Sequence, residues 1–316
     1  MAVMTPTSIP AGFDAIAGEM RAVNDAVLAH LARAGYVIPA YPVFDAPGDP
    51  RGVAAATAHP MQGILKYHGL ADWSWRTAYL PSISVTNDAA YSITLVEFDP
   101  ALAEDRVELG GAVAAGRENE RVQQTLNAVR RLARIDSRAR VRSRNVIKGG
   151  KAGKGLGTSA SGSAALAMAA IGAAFGAATA SNWRFVTSMA RLLAGSGCRS
   201  AAGGVALWLS YPGIPHEDSF AIRLDDKGQL DGMRLITIPL DSRISLKTEQ
   251  AHHDAPRSAF FQPWMRARGD EVMRAIDAVQ RGDWLTLAQQ AELDSIYLHG
   301  VTMTGGNEQK IFAWEP

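Results

Sequence analysis

Lys154-Gly155-Leu156-Gly157-Thr158-Ser159-Ala160-Ser161-Gly162-Ser163 runs without a break into Ala164-Ala165-Leu166-Ala167-Met168-Ala169-Ala170, so a loop of glycines and hydroxyls passes directly into a helix of small residues. Free backbone N–H groups at such a helix start, with the positive end of its dipole, attract phosphate oxygens, and glycines let the chain approach them closely. Thr158, Ser159, Ser161 and Ser163 add hydroxyls suited to phosphate oxygens or Mg²⁺. No Gly-Lys-Ser/Thr closes the loop, so it is not a Walker A motif, and the spacing is not the dinucleotide-binding fingerprint. A tight turn capped by Thr or Ser before a close-packed helix uses the same residues. The loop alone leaves both readings open.

The 316 residues suffice for two modest domains and a sizeable core. With 47% apolar and 20% charged residues the composition is that of an ordinary globular protein, and a net charge of +1 gives no global attraction to nucleic acid or acidic membrane. Anion binding must therefore be local. Cys198 is the only cysteine, which excludes an intrachain disulfide and fits a reducing, cytoplasmic setting. Asp14, Glu19, Arg21 and Asp25 interrupt any signal-peptide core. Gly155 to Trp183 carries no charge, yet its Ala, Gly, Ser and Thr insert weakly into lipid, so a buried helix is expected there rather than a membrane span.

Apolar residues at helical spacing predict a helix over 12–34, ended by Gly35, and the proline- and glycine-rich stretch from Pro39 to Gly52 reads as a linker, so residues 1–57 are expected to form an N-terminal appendage. Strands are expected at 83–86 and 91–96, at 203–209 and at 235–240, with helices at 118–134, 182–193, 270–280 and from 284 to 293. Arg130, Arg131 and Arg134 read as a solvated basic face. His252 and His253 are adjacent, so their side chains diverge and they read as structural or surface residues. Irregular alternation of helix and strand predicts an α+β fold.

Several segments in this order resemble the mevalonate diphosphate and phosphomevalonate decarboxylases of the GHMP kinase superfamily. Gly63-Ile64-Leu65-Lys66-Tyr67-His68-Gly69 resembles the family's I-K-Y-W-G-K, and Leu80-Pro81-Ser82-Ile83-Ser84-Val85-Thr86 its L-P-x-x-S-S-I-S-V-T. Asn119-Glu120-Arg121 is similar to a short N-E-R signature, and Gly155 to Ala165 to G-L-A-S-S-A-A-G. Ala190-Arg191, then Gly195-Ser196-Gly197-Cys198-Arg199-Ser200, resemble A-R-x-G-S-G-S-A-C-R-S, and Gly203-Gly204 completes that match. The resemblance implies a two-domain GHMP-kinase-like fold. Residues 58–205 would form an ATP-binding domain like the second domain of a small-subunit ribosomal protein, and residues 206–316 an incomplete ferredoxin-like C-terminal domain.

It implies ATP-dependent decarboxylation of a 5-phosphorylated mevalonate, with Mg²⁺ as the metal. Gly155, Leu156, Gly157, Thr158, Ser159, Ala160 and Ser161, with Ser84, would hold ATP, and Ser159 the Mg²⁺. Lys66 would act on the reacting hydroxyl. Tyr67, His68, Ser196, Arg199, Ser200 and Ser258 would bind substrate. His68 stands where the diphosphate enzymes have tryptophan, and Leu70 where a lysine follows the glycine, which leans the substrate toward phosphomevalonate. The family's D-A-G-P-N segment, whose aspartate is assigned to the 3-hydroxyl, is not found; Asp294 lies in another matched segment and is not its replacement. A truncated homologue that turns over very poorly is therefore one alternative. Others are a diphosphomevalonate decarboxylase, a kinase that stops at the 3-phosphate, and an assembly subunit pairing through a sheet edge and the N-terminal helix, with a homodimer among the expected assemblies.

Overall fold

The computed structural model describes residues 5–148, 156–236 and 248–306. In chain order the elements are α1 (Asp14–Arg33), β1 (Val53–Ala58), β2 (Met61–Leu65), β3 (Leu70–Asp72), β4 (Thr77–Ala78), β5 (Ser82–Thr86), β6 (Ala90–Asp99), β7 (Arg106–Leu109), β8 (Ala112–Val113), α2 (Gly116–Ala133) and β9 (Arg138–Ile147). After the glycine loop come α3 (Thr158–Ala180), α4 (Trp183–Ala190), α5 (Gly197–Ala202), β10 (Val205–Trp208), β11 (Ala221–Arg223), α6 (Thr248–Asp254), α7 (Phe261–Arg281) and α8 (Trp284–Thr304).

Two sheets organise the molecule. The first runs β1-β6-β9-β7-β8 and is antiparallel except where β7 lies parallel to β9. Alternation along β6 turns Val96 and Phe98 inward, where with Val141 they meet Leu126 and Val129 of α2, Leu166 and Ile171 of α3, and Phe185 of α4. The second sheet, β11-β10-β5-β2, is wholly antiparallel. One of its faces carries Ile83 and Leu207 into a core shared with Val272, Ile276 and Val279 of α7 and Leu287 of α8.

α3 meets the length and composition of a membrane span, but it packs against β1, β6, α4 and α5, and its small residues allow that close approach. The N-terminal helix is not the appendage that its linker-like flank predicts. Val27 and Leu31 enter the second-sheet core, and Phe13, Ile16 and Met20 join Tyr79, Phe261, Trp264 and Met265 in another, because the apolar stripe of α1 has α7 as its partner. The expected domain boundary after residue 205 falls inside β10, whose partners β5 and β11 lie on either side of it in sequence.

Arg130 corrects the reading of a solvated basic face. It is buried, paired with Asp105 and donating to Asn127 at 2.7 Å, while Arg131 and Arg134 are exposed. Helices α7 and α8 extend well beyond the expected spans, since Pro263 sits in the first turn of α7, where a missing N–H costs nothing. Of the strand expected at 235–240, residues 235 and 236 are not in a strand, and the rest lie outside the described residues, as does Gly155.

Candidate active site

Lys66 follows β2, where Gly63 pairs with Ser84 of β5, and its Nζ donates to Gly63 O at 2.8 Å. The ladder thus brings Lys66 beside the strand carrying Ser82, Ser84 and Thr86. These hydroxyls alternate with the core residues Ile83 and Val85, and so face the side of the sheet that holds Trp208 and α5. All three have buried oxygens without a hydrogen-bond partner among the described residues. Burial lowers the Lys66 pKa; Asp294 opposes the shift, and Arg199 and Arg268 reinforce it.

Arg199 comes from α5, a short helix pressed between α3 and α4. Gly197 permits this contact: a Cβ there would stand 2.2 Å from Ala190 O and 2.7 Å from Ser163 Cβ. Gly197→Ala is expected to lower the unfolding free energy by about 2–3 kcal/mol in urea titrations; an unchanged midpoint would mean that α5 shifts freely. The Arg199 guanidinium is 2% exposed, lies over the Tyr67 ring at 5.2 Å, and has no hydrogen-bond partner for Nε or Nη1 among the described residues. Ser200 Oγ is likewise buried and unpartnered. A desolvated cation with no ion-pair partner among the described residues, and with unpartnered donors beside it, forms a receptor for an anion.

Tyr67 is held from several sides. Its ring meets Trp208 edge-on at 4.8 Å and stacks on His252 at 5.2 Å, and its hydroxyl bonds Ser196. Burial raises the phenol pKa, so it stays a neutral donor. His252, from α6, accepts the Gly69 N–H on Nδ1 at 3.1 Å and lies 5.0 Å from His68. Burial, then neighbouring Lys66, pushes His68 down to about 4, and its buried Nδ1 has no partner among the described residues. His252 thus has the structural role expected, packed beside the site, while His253 is exposed and stacks on Trp73 at 3.9 Å. Adjacent histidines carry no periodicity that would have revealed which of the two packs there. Glu249 of the same helix pairs with Arg117 and Arg121 of α2, near Arg76, whose positive φ of 51° is uncommon for a side chain of its size.

The glycine loop begins α3 as expected. Gly157 is left-handed (φ +73°), and a Cβ on it would come within 2.9 Å of Met61 O, so this position is closed to larger residues. Its carbonyl accepts from the N–H groups of Ala160 and Ser161. Leu156 and Thr158 are partly exposed and Ser159 is exposed, which lets Ser159 meet a ligand or cation. Ala160 and the side chain of Ser161 are buried, the latter bonding Ser92 Oγ at 2.7 Å and Thr158 O at 3.1 Å. Ser163 is similarly committed, to Ala190 O at 2.6 Å. The structure turns these two hydroxyls inward because each hydrogen-bonds a packed neighbour. The Ser258 hydroxyl is committed too: it shares a 2.6 Å bond with Thr304 and accepts Phe260 N–H.

Asp294 is fully buried on α8, and both its oxygens are occupied. Oδ1 accepts from Arg268 Nη2 (2.5 Å) and Trp264 Nε1 (2.8 Å), and Oδ2 from Lys66 N (2.5 Å). It is thus not placed to act as a base, in keeping with its different sequence context. Residues 58–221 match the family described as the diphosphomevalonate decarboxylase-like N-terminal domain, a span that includes the Lys66, Arg199 and Gly157 segments. The chain belongs to this family. It is 36% identical over 252 residues to a phosphomevalonate decarboxylase of Haloferax volcanii, covering 80% of this chain and 74% of that protein. To a mevalonate 3,5-bisphosphate decarboxylase of Thermoplasma volcanium it is 30% identical, covering 80% of this chain and 66% of the relative. Among solved structures, mevalonate diphosphate decarboxylase from Staphylococcus aureus superimposes with a TM-score of 0.69 at 27% identity, over 81% of this chain and 75% of that one. A family structure in complex with MVAPP, AMPPCP and magnesium gives 0.70 at 28%, over 80% and 76%. These neighbours show the GHMP-kinase-like fold, and the family is one of decarboxylases acting in the mevalonate pathway.

Proposed function

We propose that this protein decarboxylates a 5-phosphorylated mevalonate at the expense of ATP, with phosphomevalonate as substrate and isopentenyl phosphate as product. The observation that carries the reading is Arg199, buried with two unpartnered nitrogens, beside Lys66 and within the decarboxylase family match. Leu70 and His68 support the monophosphate. Leu70 is buried in β3 and uncharged, and His68 is neutral near pH 7, so neither adds a cation for a second phosphate.

The start of α3 fits a nucleotide: a long helix presents its N-terminus, Gly157 makes the left-handed turn that leads into it close against Met61, and Ser159 is exposed beside it. Leu156, Gly157 and Thr158 would hold the ATP phosphates, and Ser159 would hold Mg²⁺, which neutralises phosphate charge when bound. The substrate's 3-hydroxyl oxygen forms a bond to the γ-phosphorus as the bond to ADP breaks and the hydroxyl proton passes to solvent water. The C3–O bond then breaks, phosphate leaves, and the electron pair of the C–CO₂ bond becomes the double bond as CO₂ is released. Lys66 stabilises negative charge growing on the 3-oxygen, and Arg199 grips an anionic group of the substrate with its planar fork. Tyr67 and Ser196 steady that fork and offer neutral donors to the 5-phosphate.

Titration calorimetry with phosphomevalonate and a non-hydrolysable ATP analogue present is expected to show binding that Arg199→Ala abolishes. Incubation with ATP should release phosphate and CO₂ in equal amounts. Tighter binding of diphosphomevalonate would reassign the substrate, a stable 3-phosphate without CO₂ would make the protein a kinase, and no binding of either ligand would sink the reading.

A further inference from the structure

Behind Lys66 lies a buried charge cluster that the proposed chemistry does not use. Arg268 of α7 is wholly buried; its Nη1 donates to Pro81 O at 3.0 Å, just before β5, and its Nη2 to Asp294 at 2.5 Å. Its Nε lies 3.3 Å from Glu271, one turn further along α7, and its guanidinium lies over the Trp264 ring at 5.2 Å. Trp264 itself donates to Asp294. Every group is thus tied to its neighbour, and the last link is the Lys66 amide.

The electrostatics around the Lys66 amine have one feature that packing alone does not require. The charged and titratable groups facing it are Asp294 and His299 from α8, Arg199 from α5, Arg268 from α7 and its neighbour His68. Three cations therefore meet in a desolvated space, and among the described residues Asp294 is the anion that acts directly on Lys66. Glu271 stands behind Arg268, and burial raises its own pKa, which weakens it as a counter-charge. Apolar residues of similar volume would pack α7 against α8 without the desolvation cost of a buried ion pair.

We propose that Asp294, braced by Arg268 and Trp264, is the positioning residue for Lys66: it fixes the backbone from which the amine projects and supplies the counter-charge that lets an ammonium stand beside Arg199. Asp294 contacts no reacting atom in this scheme. Its influence passes through Lys66, so it is distinct from the segment whose aspartate the family assigns to the hydroxyl. Its effect on turnover rests on the proposed reaction; its effect on the amine's titration does not.

The test is the titration of the Lys66 amine in the whole chain, monitored by NMR with lysine labelled at Cε and assigned by its loss in Lys66→Arg. Asp294→Asn keeps the shape and a hydrogen-bond acceptor but removes the charge, and should move the Lys66 midpoint down by about one pH unit or more. Arg268→Met removes a neighbouring cation and frees Asp294 to act on Lys66, and should move the midpoint up. A purely structural brace would loosen the site in both variants and shift both midpoints upward toward free lysine, which would overturn the proposal. Should either single variant fail to fold, Asp294→Asn combined with Arg268→Met removes one charge of each sign; a midpoint close to wild type supports the proposal, and one released to the free-lysine value refutes it. In turnover, Asp294→Asn should shift the alkaline limb of kcat to lower pH by the same interval, with KM changed much less. An unmoved limb alongside a shifted amine would count against the reaction and not against the brace.

Discussion

Arg199→Met is expected to lower kcat/KM for phosphomevalonate about 100- to 1,000-fold, equivalent to about 3–4 kcal/mol, while making the unliganded protein more stable. The two effects have one cause. The guanidinium is 2% exposed, with Nε and Nη1 unpartnered among the described residues and Arg268 adding like charge from α7. Burial lowers its pKa, and Cys198, Tyr67 and Asp294 compensate in part, the first two kept neutral by their own burial. A cation so placed is a standing cost until an anion arrives. Removing it in favour of an apolar chain of similar length should raise the unfolding free energy by about 1–2 kcal/mol in the absence of ligand. Arg199→Lys should not restore activity, because a point charge cannot reproduce two parallel donors. Urea titrations and steady-state kinetics on the same preparations check both effects. A strongly destabilised variant with near-normal turnover would show that Arg199 holds the fold and not the substrate.

The segments to which the chemistry is proposed to belong were legible because each is local. The glycine loop and α3 follow from small residues in one run, and Lys66, Tyr67, Ser196 and Arg199 lie in two short motifs. Ser84 could be placed because strand alternation separates its face from that of Ile83. What escaped is what joins distant parts of the chain. His252 reaches the Gly69 N–H from 183 positions away, with nothing around it to mark the contact. Arg268 and Asp294 fall just outside the helix spans expected from periodicity, 270–280 and 284–293, and only the packing of α7 against α8 brings them together at zero exposure. The amphipathic stripe of α1 was equally plain, but periodicity names a face and not its partner, so the helix was expected apart from the core that it helps to close. Ser161 illustrates the opposite limit. Its place in the loop suggested a ligand contact, and the nearby Ser92 offers its hydroxyl a partner inside the protein instead.

Lys66→Met is expected to reduce kcat about 100- to 1,000-fold with a smaller change in KM, since its charge matters most as the 3-oxygen becomes negative. The pH dependence separates this role from simple packing. Burial, Arg199 and Arg268 lower the amine's pKa from the ordinary 10.5, and Asp294 only partly restores it. The protonated form is the one that stabilises the oxyanion, so kcat should hold at lower pH and fall as pH rises through this depressed value, earlier than a free lysine would require. Lys66→Arg retains a cation over the whole range, because a guanidinium does not deprotonate there. The variant should keep part of the activity and move the alkaline limb upward, provided the longer side chain still reaches past Gly63 O. Were the amine needed instead as a neutral base, the profile would run the other way: activity would rise with pH through the same region, and Lys66→Arg would be as inactive as Lys66→Met. Rate measurements across the alkaline range on the three proteins, in a constant-ionic-strength buffer, decide between the two signs.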